Sequence, residues 1–232
     1  MASEATALAP VSHRPQSGTG EKCRLEAFVS SSRPWVSRGL ATPAPVAPAS
    51  WTSTALGGCL AELSGTGASS SLTLAFSLVH QVQRHGDPVA WITRAESTFF
   101  PPDAAEGGID LAALPVIRLA GRRRCLRAAE QLARSGAFGL LVIDLGGCLD
   151  LPLAAQTRLA GQALAHGTLI LCLTAKTDRQ PSLGSLVSVR AHAQRIRRRD
   201  GRFTCRVHVL KDKRRGPGWR DEVWCRGPDG VR

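Results

Sequence analysis

The chain has no tyrosine, one methionine and only 5% aromatic residues among its 232. Stacking platforms for single-stranded nucleic acid are built from exposed aromatic rings, so sequence-specific strand readout by stacking is not expected. No apolar run reaches the roughly 18–20 residues of a membrane-spanning helix. The polar stretch Met1–Gly20 has no hydrophobic centre and is not read as a secretory leader. The seven cysteines, at 23, 59, 125, 148, 172, 205 and 225, are odd in number and contain no Cys-x-x-Cys pair. Several stand in apolar runs, where a free thiol acts as a small hydrophobe, and a reducing cytoplasm is the expected compartment. The six histidines show no ligand spacing with cysteine or carboxylate, so no metal site is expected. Neither a Ser-His-Asp nor a Cys-His arrangement can be read from spacing. Acidic residues are also scarce: 18 against 30 basic ones leave a net charge of +12. That balance points to an acidic partner, nucleic acid or an acidic protein surface. The competing reading is an arginine-rich composition with no partner attached.

What is present is patterned. Residues 1–20 are poor in apolar side chains and are expected to form a disordered tail. Residues 21–41 hold a short predicted helix, Glu21–Val29, with Leu25, Phe28 and Val29 on one face. Residues 42–54 begin Thr-Pro-Ala-Pro-Val-Ala-Pro-Ala-Ser, a proline-rich linker. A core is predicted over 55–228, with a tail at 229–232. Within the core, short apolar runs alternate with amphipathic stretches. Strands are predicted at Cys59–Leu63, Val89–Thr93, Val116–Leu119, Gly139–Asp144 and Thr168–Leu173. Helices are predicted at Ser70–His85, Arg122–Ser135 and Leu153–Ala165, and Thr98–Gly108, with Pro101 and Pro102, reads as a loop. Continuous apolar strands between helices imply a parallel sheet covered on both faces. Leu186–Ile196 and Phe203–Leu210 alternate instead, around Asp200-Gly201, and predict an antiparallel hairpin. Asp221–Arg226 adds one more short strand. The expected fold is thus a three-layer α/β domain with a mainly parallel central sheet and a C-terminal antiparallel hairpin.

The stretch Glu62–Leu74 lies between the first strand and the first core helix, where a phosphate-binding loop would stand. That loop needs Gly, four residues, then Gly-Lys-Ser/Thr. Counted from Gly65, the second glycine is Ser70, the lysine is Ser71 and the magnesium-binding hydroxyl is Leu72. Backbone N–H groups at a helix N-terminus attract anions without a lysine, but the lysine and the metal ligand are what hold a triphosphate. No ATP or other cofactor is therefore expected, and the serines read as helix N-caps. Asp144 and Glu96 are acids at strand ends and are expected to be vestigial, with no phosphate to act on. Arg195, Arg197, Arg198, Arg199 and Arg202 surround the predicted turn, and Lys211, Lys213, Arg214 and Arg215 lie on the returning strand. Both groups are expected along one basic end of the sheet, as a nucleic-acid or partner patch or as a solvated hairpin tip. Trp219 and Trp224 either contact a partner or cover their own sheet edge.

In their order, these residues resemble the core of the bacterial recombinase RecA. Ala128-Ala-Glu-Gln-Leu-Ala-Arg-Ser-Gly-Ala, leading to Leu140-Leu-Val-Ile-Asp144, is similar to the helix and strand that carry its Walker-B acid. Trp91-Ile-Thr-Arg-Ala-Glu96 sits where that family has a strand ending in its catalytic glutamate. Ser188-Val-Arg-Ala-His-Ala-Gln-Arg-Ile resembles the strand entering its last hairpin, and Val209-Leu-Lys-Asp-Lys213 its Lys-Asn-Lys signature. Two features depart: the altered loop, and a Thr174–Leu186 segment too short for the recombinase's mobile DNA-gripping loop. The pattern is more similar to the ImuA-type mutasome proteins, RecA-like proteins without either feature. That resemblance implies a RecA-like, P-loop-NTPase-like fold without ATPase activity. It also implies a non-catalytic accessory or scaffold role in damage-induced (SOS) translesion DNA synthesis. The implied partners are an ImuB-like inactive Y-family polymerase, RecA, an error-prone replicative-type polymerase and DNA. The implied location is cytoplasmic, at the nucleoid when active, with no membrane. A SulA-type cell-division inhibitor and a weak ATP-dependent DNA-binding protein are the alternatives.

Overall fold

Residues 50–97, 99–198 and 203–225 are described by a computed structural model. A short helix α1 (Ser53–Leu56) precedes β1 (Leu60–Ser64). Then α2 (Ser71–Arg84) leads to β2 (Val89–Arg94), α3 (Pro101–Glu106) to β3 (Val116–Leu119), α4 (Arg122–Ser135) to β4 (Leu140–Gly146), and α5 (Leu153–His166) to β5 (Leu169–Thr174). The chain closes with β6 (Val189–Arg197), β7 (Phe203–Asp212) and β8 (Arg220–Cys225). These strands form one sheet in the order β3-β2-β4-β5-β1-β6-β7-β8. Pairing is parallel from β3 through β6 and antiparallel from β6 to β8.

Alternation of side chains along the central strands feeds two apolar layers. Leu63, Trp91, Val142 and Leu171 pack under Leu74, Leu78 and Val79 of α2 on one face. Leu60, Ile92, Leu141 and Ile170 pack under Leu126 and Ala129 of α4 and Leu159 and Ala163 of α5 on the other. Strands β1 and β5 are buried at every residue, which is why they read as continuous apolar runs. Helix α4 stops at Gly136, which is left-handed at φ 66°. A Cβ there would stand 2.7 Å from His166 Nδ1, so the tight approach of the α4 and α5 termini also needs glycine.

The α/β class, the mainly parallel sheet and the antiparallel C-terminal strands all match the reading of the sequence. Two local readings need correction. Thr98–Gly108 is not wholly loop, because Pro101–Glu106 is helix α3. Proline breaks helix interiors but fits a first turn, where its missing N–H is not needed. The proline-rich linker does not extend to residue 54. Trp51 is buried in the core, its backbone N–H donates to Asp221 Oδ2 at 2.7 Å, and Thr52 caps α1. Residues 1–49, including the predicted Glu21–Val29 helix, and the Asp200-Gly201 turn lie outside the described residues. Among the described residues, no helix is long and apolar enough to cross a membrane.

Candidate functional site at the carboxyl edge of the sheet

Because β1 to β6 run parallel, their carboxyl ends open on one edge, where ligands of α/β sheets bind. Gly65, the strand ends at Arg94 and Asp144, Thr174 and the tip of β6 all lie there. The loop from Gly65 to Ser70 keeps its strand-turn-helix setting; Thr66, Gly67 and Ala68 are exposed, whereas Ser69 and Ser70 turn toward the protein. Ser69 folds over Gly65: a Cβ on that glycine would stand 2.6 Å from the Ser69 Cβ. Ser70 is buried, and its hydroxyl donates to the Gln194 carbonyl of β6 at 2.8 Å. It occupies the N-cap of α2 without a capping bond, so the N-cap role expected of it is replaced by a tie to the sheet. Ser71 pairs with Ser69 through their hydroxyls at 3.0 Å. Leu72 is partly buried against the core layer under α2. No cationic side chain stands on the loop.

Asp144 lies near the carboxyl end of β4, which runs two residues further to Gly146 past an irregularity in the pairing with β5, and its acceptors are filled from within the chain. Its Oδ2 accepts from the Ser97 hydroxyl at 2.7 Å and the Thr93 hydroxyl at 3.1 Å, and its Oδ1 from the Gly146 N–H at 3.1 Å. Glu96 is held sideways in an exposed ion pair with Arg94 at 2.9 Å. The two acids therefore flank the same edge without sharing a substrate-facing geometry.

Beneath the loop lies a group that the sequence reading missed. Glu62, in the middle of β1, is fully buried and meets the equally buried Lys176 Nζ at 2.6 Å. Its Oε1 also accepts from Thr174, and its Oε2 accepts from the Ser182 hydroxyl and the Leu183 N–H. Arg190 Nε of β6 stands 3.8 Å away, and its guanidinium donates to the carbonyls of Gln180 and Thr177. Lys176 Nζ donates to the carbonyls of Pro181 and Leu149. This cluster fastens the 175–187 segment, which runs from the carboxyl end of β5 to the start of β6, against the middle of β1. A signal was present, since an acid inside an apolar strand must find a partner. Naming that partner needed the strand order, which sets β5 and β6 on either side of β1.

The basic residues do not form one end. Arg195, Arg197 and Arg198 stand at the tip of β6, on the loop edge, whereas Lys211 to Arg215 stand at the opposite edge. From Phe203 to Lys211 along β7 is about 26 Å, at roughly 3.3 Å per residue. The hairpin brings the two groups onto neighbouring strands, but antiparallel pairing sends them to opposite ends. Several are also engaged: Arg195 stacks on Phe203 with 3.5 Å to the ring centroid, and Arg198 donates to Thr204. Lys211 donates to the carbonyls of Gly184 and Ser185, Arg214 to that of Gly57. Burial pushes the Lys211 ammonium below its ordinary value, and the neighbouring Lys213 adds to the shift. Arg199 and Arg202 lie outside the described residues.

Trp219 is turned inward rather than offered to a partner. It packs partly buried on the core, and its indole donates to Asp212 Oδ2 at 3.0 Å. Asp212 Oδ1 accepts from the backbone N–H groups of Arg214 and Arg215 at 2.8 and 3.1 Å. This one carboxylate therefore knits the turn between β7 and β8. Asp212→Ala is expected to cost about 2–3 kcal/mol, because it leaves three donors without their charged acceptor; urea unfolding measures it. The Trp224 backbone, in β8, pairs with Thr204 of β7.

Curated proteins with matching sequence include RecA proteins. The chain is 32% identical over 118 residues to Protein RecA of Chlorobium limicola, an alignment covering 46% of this chain and 33% of that protein. It is 32% identical over 118 residues to Protein RecA of Chlorobaculum tepidum, covering 46% and 34%. Against Protein RecA of a Nocardioides strain it is 35% identical over 122 residues, covering 48% and 35%. The chain spans about a third of the length of the relatives it matches. No protein-family model matches it. Part of the chain is thus similar in sequence to RecA proteins, and its sheet architecture is consistent with a RecA-like fold.

Proposed function

We propose that this protein is a non-catalytic, RecA-like accessory of a damage-induced translesion DNA synthesis complex, of the ImuA type. It would link an inactive Y-family polymerase with RecA, and serve an error-prone replicative-type polymerase near damaged DNA in the cytoplasm. The observation that carries this reading is the altered loop, whose serines are engaged within the chain. A magnesium triphosphate needs a cation and a metal-binding oxygen at its cradle. Here Ser70 is tied to β6, Ser69 fills the space over Gly65, and Leu72 faces the core. The residues present do not fit that ligand, and no nucleotide-dependent step is assigned to them. A core retained without its phosphate grip leaves surfaces as the place of function.

MgATP at about 1 mM is expected to leave the unfolding midpoint unchanged. A ligand present at 100 times its Kd stabilises by roughly 2.7 kcal/mol, so a clear upward shift overturns the non-catalytic reading. The scaffold role is tested by pulldown with an ImuB-like inactive Y-family polymerase. Retention at about 10 µM, a moderate affinity, is expected. Absence of association sinks the translesion assignment.

A further inference from the structure

Helices α4 and α5 each join two parallel strands and cover the same face of the sheet, so their amino ends lie together on its carboxyl side. Their opening turns bound a groove of about 380 Å³. Leu126 and Ala155 line it with buried side chains, and Arg123, Arg127 and Arg158 with exposed, charged ones. The charge runs against what the fold alone favours. The amino end of a helix is the positive end of its dipole and is stabilised by acids. Neither α4 nor α5 has an acid in its first turn, and α4 opens instead with Arg122-Arg123-Arg124. One arginine of the groove already holds a carboxylate: Arg158 grips Glu130 through two bonds of 2.8 Å. That pairing uses up the one acid lining the groove. Arg123 and Arg127 are left without an acidic partner among the described residues.

We propose that this groove binds an extended acidic segment of a partner protein, with carboxylates at alternate residues. Arg123 and Arg127 are one helical turn apart, about 5–6 Å between their Cβ atoms. Alternate residues of an extended chain point to one side about 6.6 Å apart, so two such carboxylates meet both guanidinium groups. Forked bonds of the kind that Arg158 makes to Glu130 are the strong form of this contact. Nucleic acid fits the groove less well. Helices packed side by side lie about 8–10 Å apart, which admits a single chain but not a duplex. No aromatic ring lines the groove for a base to stack on, and no hydroxyl or amide side chain lines it to hold a phosphate. Backbone binding also draws its strength from many neutralised phosphates, and the groove offers two unpaired arginines. The proposal rests on the groove alone and holds whether or not the translesion reading does.

The test uses the full chain and a fluorescein-labelled peptide in which glutamate alternates with serine. Its controls are the same peptide with lysine for glutamate and an oligothymidylate of equal charge. Anisotropy is expected to show the acidic peptide binding below about 1 mM, with the lysine peptide unbound. The pair Arg123→Glu and Arg127→Glu is expected to weaken the acidic peptide about tenfold or more, by removing two attractions and adding two repulsions. The milder pair Arg123→Gln and Arg127→Gln is expected to weaken it about threefold or more. The pair Arg134→Glu and Arg179→Glu makes the same change of charge at exposed residues that do not line the groove. It is expected to leave the affinity within about twofold, since screening confines exposed charges to short range. All of these changes are at exposed side chains, and an unchanged unfolding midpoint verifies the fold. Equal losses in the groove and distant pairs overturn the proposal, because attraction to the basic chain as a whole then explains the binding. No binding of the acidic peptide below about 1 mM overturns it as well. Oligothymidylate held about tenfold more tightly than the peptide, and released by the same groove pair, replaces it with a phosphate surface.

Discussion

Replacing Glu62 by alanine is expected to destabilise the protein by about 3–5 kcal/mol, the cost of breaking one side of a buried ion pair. Lys176 and Glu62 are both fully buried, so neither side chain can turn to water when its partner is removed. The Lys176 ammonium keeps two carbonyls, Pro181 and Leu149, but loses the carboxylate it is paired with. The Ser182 hydroxyl and the Leu183 N–H lose their acceptor at the same time. Lys176→Met is expected to cost less, since Arg190 and the Thr174, Ser182 and Leu183 donors stay with the carboxylate. The pair Glu62→Leu with Lys176→Met is expected to cost clearly less than the sum, because an apolar pair of similar volume replaces two charges. Arg190 would still hold the carbonyls of Gln180 and Thr177. Urea unfolding of the four proteins closes a double-mutant cycle. Additive losses would show that the pair is not a coupled unit. The single variants are also expected to raise hydrogen exchange in the 175–187 segment, which this cluster fastens.

How much of this was legible follows from what each feature depends on. The alternation of strands and helices was readable because β1, β2, β4 and β5 are buried on both faces, and burial writes itself into composition. Helix α4 was readable to the residue, since Gly121 and Gly136 bracket an amphipathic stretch. The altered loop was also readable, as a motif at fixed spacing. Other features depended on pairing. Glu62 looked like one polar residue in a strand until β5 and β6 were set beside it. The two basic groups looked adjacent because the hairpin joins them in sequence order, but strand direction parts them. Helix α3 was hidden because Pro101 and Pro102 signal a loop everywhere except in a first turn. The orientation of Ser70 toward β6 and of Trp219 toward Asp212 has no sequence signature, as each depends on a neighbour far along the chain.

Trp91→Ala is expected to cost about 3–5 kcal/mol, the range for removing a large buried aromatic. Trp91 is wholly buried in β2. It packs between Phe76 of α2 and Phe99, with ring centroids 5.3 and 5.1 Å away, and these two rings meet each other at 5.9 Å. The triad joins three parts of the fold: the helix after the altered loop, strand β2, and the segment following Glu96. Losing its middle ring opens a cavity that none of the three can fill alone. A loss of this size lowers Tm by roughly 6–20 °C in a domain near 200 residues. Trp91→Phe separates packing from polarity. The Trp91 indole N–H is buried with no hydrogen-bond partner, so phenylalanine gives up ring area but also removes an unsatisfied donor. It is expected to fall within about 1–1.5 kcal/mol of the parent. Thermal unfolding compares the two. If Trp91→Phe destabilises as much as Trp91→Ala, the indole makes an essential polar contact and the packing account of this triad fails.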